Sequence, residues 1–452
     1  MYRFSILLIL VGMNILSGCD KYLDKKSDAK LIVPKTVDDL QGMLDDGATM
    51  NLMRTPSYGE SEADDFFLLP TTLSGFNQTL RDVYLWKSID YRFGNDWSDA
   101  YLPVYNSNLC LEILPTIPRD DLNSKQWDNI KGSALFFRSY YFYCLTTTFG
   151  LAYNPATSER DLGIVLRLSS DFNVKSERAT VKKCLDRVIS DIEESLLLLP
   201  NVGENTLRPS RAAAFALLSR VKLYMGDYAA AFKYADECLK IKSSLIDYNS
   251  DTDLLGIDLN VPFKRFNKET IFYTELNFGF SIHSTSRGKI DTLLYNSYSA
   301  DDLRKKAFFR PNGQYQQFKG SYASSSTTFF SGLATDEMIL NRAEANAYLG
   351  NIEAALTDLN LLRKKRWKNS VPFIPVTAIG KVDALSKVRE ERRKELLMRN
   401  IRWADIKRYN VEGAGITLKR ALNGVIYSLE PNSKFYALPL PTDIIEQGLQ
   451  QN

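Results

Sequence analysis

The chain has 452 residues, 44% hydrophobic and 25% charged, an ordinary composition for a folded protein with room for a large core. Its 57 basic and 54 acidic residues leave a net charge of +3, too weak a field to hold nucleic acid. One histidine, His283, excludes any metal site built from several histidines.

The N-terminus sets the compartment. Arg3 followed by Phe4, Ile6, Leu7, Leu8, Ile9, Leu10 and Val11 reads as the basic and apolar regions of a signal peptide. That run falls short of the roughly 20 residues needed to span a bilayer. Leu16-Ser17-Gly18-Cys19 resembles a bacterial lipobox, whose cysteine takes a diacylglyceride and becomes the first mature residue. Residues 1–18 are therefore expected to be a lipoprotein signal peptide, 19–33 a lipid anchor and polar tether, and 34–452 a single body tied to the bilayer through acylated Cys19.

Thr36 is placed to cap a short helix through Leu40 and Leu44. From Met50 to Asp96, prolines and glycines among many aromatics predict loops. Helical spacing returns over Trp97–Leu114 and Ser124–Leu145, with a turn at Gly150. A loop insertion follows to Glu177; Thr180 then caps a helix halted by Pro200, and Ser210 caps the next. Residues 244–333 form the main insertion, with a strand expected around Ile271, Tyr273, Leu276 and Phe278. Asp383–Arg399 reads as a basic amphipathic helix with a solvated, salt-bridged face.

Two stretches match each other. Tyr224, Gly226, Tyr228, Ala231 and Phe232 fall on Tyr348, Gly350, Ile352, Ala355 and Leu356, so each stretch reads as two helices reversing at a glycine. The spacing is that of tetratricopeptide repeats (TPR), but the copies begin at Arg211 and Thr335, far wider than the roughly 34 residues of a contiguous array. The predicted fold is mainly α, built of interrupted TPR-like hairpins over about 97–150, 179–243 and 334–410, with irregular insertions over about 48–96, 151–178 and 244–333.

In order along the chain stand Cys19-Asp20-Lys21-Tyr22-Leu23-Asp24, Gly132-Ser133-Ala134-Leu135-Phe136-Phe137-Arg138, Arg178-Ala179-Thr180-Val181, Arg342-Ala343-Glu344-Ala345, Arg389-Glu390-Glu391-Arg392, Arg402-Trp403-Ala404-Asp405 and Leu438-Pro439-Leu440-Pro441. This ordered set resembles the SusD/RagB family of outer-membrane lipoproteins. The resemblance implies a SusD-like fold, a nutrient or oligosaccharide ligand held without catalysis, and a TonB-dependent (SusC-like) transporter as partner. It also makes Arg392, Glu395, Arg402 and Trp403 scaffold residues. Where the family has an aromatic, Glu and Gly before the Arg-Trp, this chain has Met398, Arg399 and Asn400.

Candidate chemistry is sparse. No glycine-rich phosphate loop follows a strand. His283 reads as a solvated or structural loop residue, Glu60, Glu62, Asp64 and Asp65 as loop carboxylates that only a hydrolase reading would make catalytic, and Asp247 to Asp258 as a polar loop lacking the glycine and glutamate of a calcium site. Cys110, Cys144, Cys184 and Cys238 lie in apolar helical contexts without metal or redox spacing and are expected as buried thiols. A binder of neutral sugars needs aromatic rings with polar neighbours on loops, which selects Trp86, Tyr91, Trp97, Phe278, Phe280 and Tyr322 as candidate ligand contacts. No catalytic residue, metal or cofactor is assigned. The alternatives are a TPR-type protein-interaction scaffold of the cell envelope and a polysaccharide hydrolase using the loop carboxylates.

Overall fold

The computed structural model describes residues 34–279, 282–284 and 286–452, so Cys19, the expected lipidation position, and the candidate Phe280 lie outside the described residues. Several helices begin where a polar side chain takes up a free backbone N–H group. Thr36 and Asp39 form a capping box at the head of α1 (Val37–Asp45). After the short α2 (Tyr58–Glu62), Asn95 and Ser98 cap α3 (Asp96–Ile113) in the same reciprocal way. A long α4 (Ser124–Phe149) follows; Thr180 then caps α5 (Val181–Leu196), Ser210 caps α6 (Arg211–Tyr224) and Asp227 caps α7 (Tyr228–Ile241). The second matched stretch is α8 (Thr335–Leu349) and α9 (Ile352–Arg366), and α10 (Lys381–Glu395) and α11 (Arg402–Val411) complete the set.

Both predicted reversals occur at glycines with left-handed backbone, Gly226 at φ 75° and Gly350 at φ 89°. The helices α3 to α8 then pack each against the next, and α10 lies on α8. The hairpins that are far apart in sequence are neighbours in space: α7 packs on α8, with the rings of Tyr228 and Tyr348 stacked at 3.7 Å. The main insertion is thus looped out from a continuous helical stack.

Strands are short and paired two by two: β1 (Phe66–Phe67) with β5 (Lys289–Ile290), β2 (Leu162–Val165) with β3 (Arg178–Thr180), β4 (Thr270–Phe272) with β8 (Leu333–Ala334), β6 (Phe309–Asn312) with β7 (Tyr315–Phe318), and β9 (Leu418–Leu422) with β10 (Val425–Leu429). The strand expected around Ile271 is reduced to β4. The stretch expected as loops before Trp97 holds α2 and helices at Pro70–Ser74 and Gln78–Tyr84, each too short to show a helical period. The helix expected to run to Arg399 stops at Glu395, because Met398 and Asn400 turn left-handed at φ 58° and 59°. Asn tolerates that conformation better than most residues, which fits Asn400 standing where the family has Gly.

Two large apolar cores result, beside a small cluster of Leu223, Tyr228, Ala231 and Ala345 on α6, α7 and α8. One fills the helical stack; the other lies under the main insertion and takes Phe66, Tyr84, Tyr273, Phe308, Phe330 and Met398. Between and around them run buried ion pairs. Glu395 accepts from Arg304 and Arg366, Arg366 also holds Glu269, and Arg399 holds Asp336. Glu344 on α8 takes Arg408 from α11 and Arg389 from α10, and Arg392 pairs with Asp405. The basic face of α10 is therefore not a solvated one: Arg392 is 2% exposed, and the charges expected in water cross-link helices. Among the described residues no helix is long and apolar enough to cross a membrane.

Two substitutions of the same kind should act with opposite sign. Gly350→Ala forces a Cβ into the left-handed region and is expected to cost about 1–2 kcal/mol. Gly42→Ala, in the exposed middle of α1 with open space around it, should add about 0.5–1 kcal/mol. Urea denaturation of both variants beside the parent checks the pair, and equal signs would contradict the assigned turn.

Burial pushes the Glu344 carboxyl up, but Arg408, Arg389 and Arg392 together pull it down to about 2 from its ordinary 4.5. A depressed carboxylate stabilises the fold above its unfolded value and loses that contribution as pH falls toward its folded value. Glu344→Gln should therefore cost about 3 kcal/mol or more at neutral pH, and its deficit should shrink as pH drops from 4.5 toward about 2. Denaturation midpoints measured across that range would show a constant deficit if the charge were not the cause.

Candidate ligand-binding cleft

The residues Trp97, Tyr101 and Tyr105 recur every fourth position on α3 and so form one aromatic stripe along one helix face. The capping box at Asn95 fixes where that stripe starts: the Asn95 carboxamide accepts from Ser98 N at 2.9 Å, and its Nδ2 donates to the Arg92 carbonyl. The Trp97 ring packs tilted against Tyr101 at 4.9 Å and edge-on to Phe149 at 5.1 Å. Tyr101 donates its hydroxyl to the Val165 carbonyl at 2.7 Å, which ties the stripe to the end of β2.

The chain leaving β2 forms the opposite wall. The Arg167 guanidinium donates to the carbonyls of Asp171 and Val174 and to Ser176 Oγ, so the loop curls around it. Glu112 at the end of α3 accepts from Ser170, both backbone and hydroxyl. Held this way, Phe172 reaches back and stacks on Tyr105, with centroids 5.1 Å apart and planes 20° apart, although 78% of Phe172 is exposed. Ile444, Gln447 and Leu449 from the C-terminal segment close the third side, and the enclosed cleft measures about 190 Å³. Apolar rings with serine hydroxyls and a guanidinium around them suit a saccharide ring, whose C–H faces stack while its hydroxyls find donors and acceptors.

Of the six aromatics expected as ligand contacts, only Trp97 borders this cleft, and it does so as a core ring that is 4% exposed. Trp86 is 6% exposed, donates its indole N–H to the Glu62 carbonyl, and borders a separate cleft. Tyr91 and Tyr322 are corrections. Tyr91 is buried with its hydroxyl on the Pro439 carbonyl, and Tyr322 is buried with its hydroxyl on Glu269 and the Arg399 guanidinium over its ring, so neither offers a face to a ligand. Phe278 is half exposed in the insertion and Phe280 is outside the described residues. Tyr101, Tyr105 and Phe172 were missed: the stripe was legible as an aromatic at every fourth position, whereas nothing local marks Phe172.

The other candidate groups are occupied. Glu60, Glu62 and Asp65 are buried, and Asp64 is gripped by Arg402 while Arg393 holds Asp65. Burial pushes Glu60 up to about 8. None of the four is a free loop carboxylate: Glu60 accepts from the Asn400 backbone N–H, Asp64 and Asp65 tie the segment after α2 to α11 and α10, and Glu62 is buried. His283 is likewise buried, its Nδ1 beside Ser61 Oγ at 3.0 Å, and burial lowers it to about 3. Glu269, Asp336 and Glu395 lie close enough together to suggest a metal, but Arg366 and Arg399 already supply the positive charge such an ion would bring. The Asp247–Asp253 loop is pinned by Lys365 and Lys268. The four described cysteines are free and buried, as expected.

Comparison with known proteins accounts for this arrangement. Residues 21–223 match a family described as SusD-like, starch-binding and associating with the outer membrane, and residues 264–446 match the SusD family. The chain belongs to the SusD family. A SusD-like protein, P38, from Formosa agariphila is 25% identical over 244 residues; that match spans 50% of this chain and only 42% of the relative. Among solved structures, a SusD superfamily protein from Bacteroides thetaiotaomicron superposes with a TM-score of 0.72 at 21% identity, covering 92% of this chain and 99% of that one. The surface glycan-binding protein A of Bacteroides fluxus superposes with a TM-score of 0.68 at 18% identity, covering 92% and 97%. In this SusD fold the segment Arg402-Trp403 acts as scaffold: Arg402 bridges to Asp64, and Trp403 is buried against Tyr436 with ring centroids 4.8 Å apart.

Proposed function

We propose that this SusD-family protein is an outer-membrane surface lipoprotein that holds an oligosaccharide in the cleft between α3 and the loop after β2, leaves it chemically unchanged, and delivers it to a TonB-dependent transporter. The observation that carries the reading is the stripe Trp97, Tyr101 and Tyr105 with Phe172 stacked over its end, which forms a saccharide-sized aromatic cleft bordered by serines and Arg167. The names of the family and of the Bacteroides fluxus structure, both sugar-related, support it. The lipobox-like Leu16-Ser17-Gly18-Cys19 supports the anchor.

A protein partner has its own support. At the hairpin ends, Leu349, Ile379 and Val382 are 47%, 98% and 83% exposed, and Lys381 reaches over the Tyr348 ring at 4.3 Å, which places these apolar side chains near one another. Exposed apolar side chains grouped on a rigid helical face suit a protein interface.

Phe172→Ala should weaken glycan binding about three- to tenfold, the range of one aromatic contact, with folding unchanged because the ring is mostly exposed. Calorimetry against a panel of oligosaccharides, with turnover followed in the same samples, checks this; undiminished binding or measurable hydrolysis would overturn the reading. Introducing charge at the other face, Ile379→Asp with Val382→Asp, should abolish co-purification with the transporter while glycan affinity stays unchanged. Loss of both together would show that the two faces are not separate.

A further inference from the structure

A second cleft, of about 410 Å³, opens between the β1–β5 pair and the β9–β10 hairpin. Its lining includes Phe67, Tyr84, Trp86, Lys419 and Arg420. Arg420 is 7% exposed, and its guanidinium carbon lies over the rings of Tyr84 and Trp86, at 3.5 and 4.6 Å from their centroids. Trp86 is held there in the left-handed region, at φ 53°, a conformation a bulky residue rarely adopts.

What sets Arg420 apart is its company. Every other arginine buried to this extent, among the described residues, has a carboxylate within ion-pair distance. Arg420 has carbonyls only: those of Tyr84, Ser61 and Ala63. These use three of the five N–H groups a guanidinium carries. Burial pushes the Glu62 carboxyl up while the charges of Arg420 and Lys407 pull it down, yet no ion pair joins Glu62 to Arg420. The Asp64 and Asp65 carboxylates are answered by Arg402 and Arg393. The adjacent Lys419 is exposed and, among the described residues, has no acidic partner. Glu62 and Asp64 act on Arg420 only from beyond ion-pair distance, and a buried guanidinium with no carboxylate in contact gains from an anion that arrives from outside.

We propose that this cleft binds the oxyanion of an acidic saccharide, a uronate carboxylate or a sulfate ester, with Arg420 as its buried counter-charge, Lys419 as a second cation at the rim, and Phe67 as the apolar wall against the sugar ring. With both Nη2 hydrogens on the Ser61 and Ala63 carbonyls, the guanidinium keeps Nε–H and one Nη1–H, enough for a single charge-assisted hydrogen bond to an oxyanion. The inference rests on the saccharide-binding reading above and extends it from neutral to charged sugars. It commits the protein to two chemically distinct subsites.

The test uses the chain from Asp20 to Asn452, titrated calorimetrically with tetragalacturonate, its methyl ester, a neutral galactose tetrasaccharide and a sulfated galactose tetrasaccharide. One or both acidic probes should bind about tenfold more tightly than the ester and the neutral sugar, the factor expected for one charge-assisted hydrogen bond, and the advantage should fall as salt is raised. Which acidic probe leads identifies the oxyanion. Lys419→Glu, at an exposed position, should remove most of the preference, and Arg420→Lys the rest; melting temperatures confirm that each variant folds. The proposal is overturned if acid and ester bind alike, or if folded Lys419→Glu keeps the full preference. Should neutral sugars bind and lose affinity with Phe172→Ala while no acid preference appears, the inference alone fails; should no saccharide bind at all, the glycan-binding reading fails with it.

Discussion

Two apolar cores in one chain need a junction, and here the junction is made of charge. Glu395 at the end of α10 sits between Arg304, from the insertion, and Arg366, from α9, while Arg366 reaches on to Glu269 in the insertion. None of these side chains is more than 1% exposed. Taking such groups out of water is expensive, and good pairing does little better than offset the cost. What the layer provides is discrimination: each carboxylate has one geometry in which it meets its guanidinium, so the insertion can sit on the helical stack in one way. An apolar junction of the same area would tolerate sliding.

The same logic explains why the helical stack survives interruption. The hairpin at Gly226 and the hairpin at Gly350 meet through α7 and α8, where Arg342 spans to Asp236 and Asp358, and Tyr228 stacks on Tyr348. Contacts of that kind do not depend on the length of chain between the two helices, since loop closure costs grow only slowly with loop length. The insertion can therefore vary in length without disturbing the frame, so long as Glu269 and Arg304 keep their places in the junction. Arg420 stands outside this scheme, since it is buried like the others but has carbonyls and rings where they have carboxylates.

Much of the frame was legible in the sequence because its signals are local. Gly226 and Gly350 mark reversals, Thr36, Thr180 and Ser210 mark helix starts, and each is where the structure puts it. The cleft was not legible to the same degree. An aromatic residue in a glycine- and proline-rich stretch carries no local mark of whether its ring faces water or core, and Tyr91 and Tyr322 went to the core because Pro439 and Glu269, hundreds or dozens of residues away, accept their hydroxyls. The charges of α10 misled for the same reason: alternation of Arg and Glu at helical spacing describes a solvated face equally well until Glu344, Asp405 and Asp65 are known to lie opposite.

The aromatic cleft owes its shape to this hidden wiring. Arg138 on α4 is clamped by Asp191 on α5, and its remaining nitrogen donates to the Asn108 carboxamide on α3. Asn108 in turn donates to the carbonyl of Arg167, the residue around which the Phe172 loop is wound. A line of buried polar contacts thus runs from the centre of the helical stack to the wall of the cleft. A loop attached that way meets its ligand already ordered, and the entropy that a free loop would lose on binding has been spent in folding. The sugar-sized space between Trp97 and Phe172 is therefore best understood as an extension of the helical frame, with α4 and α5 as much a part of it as the rings that line it.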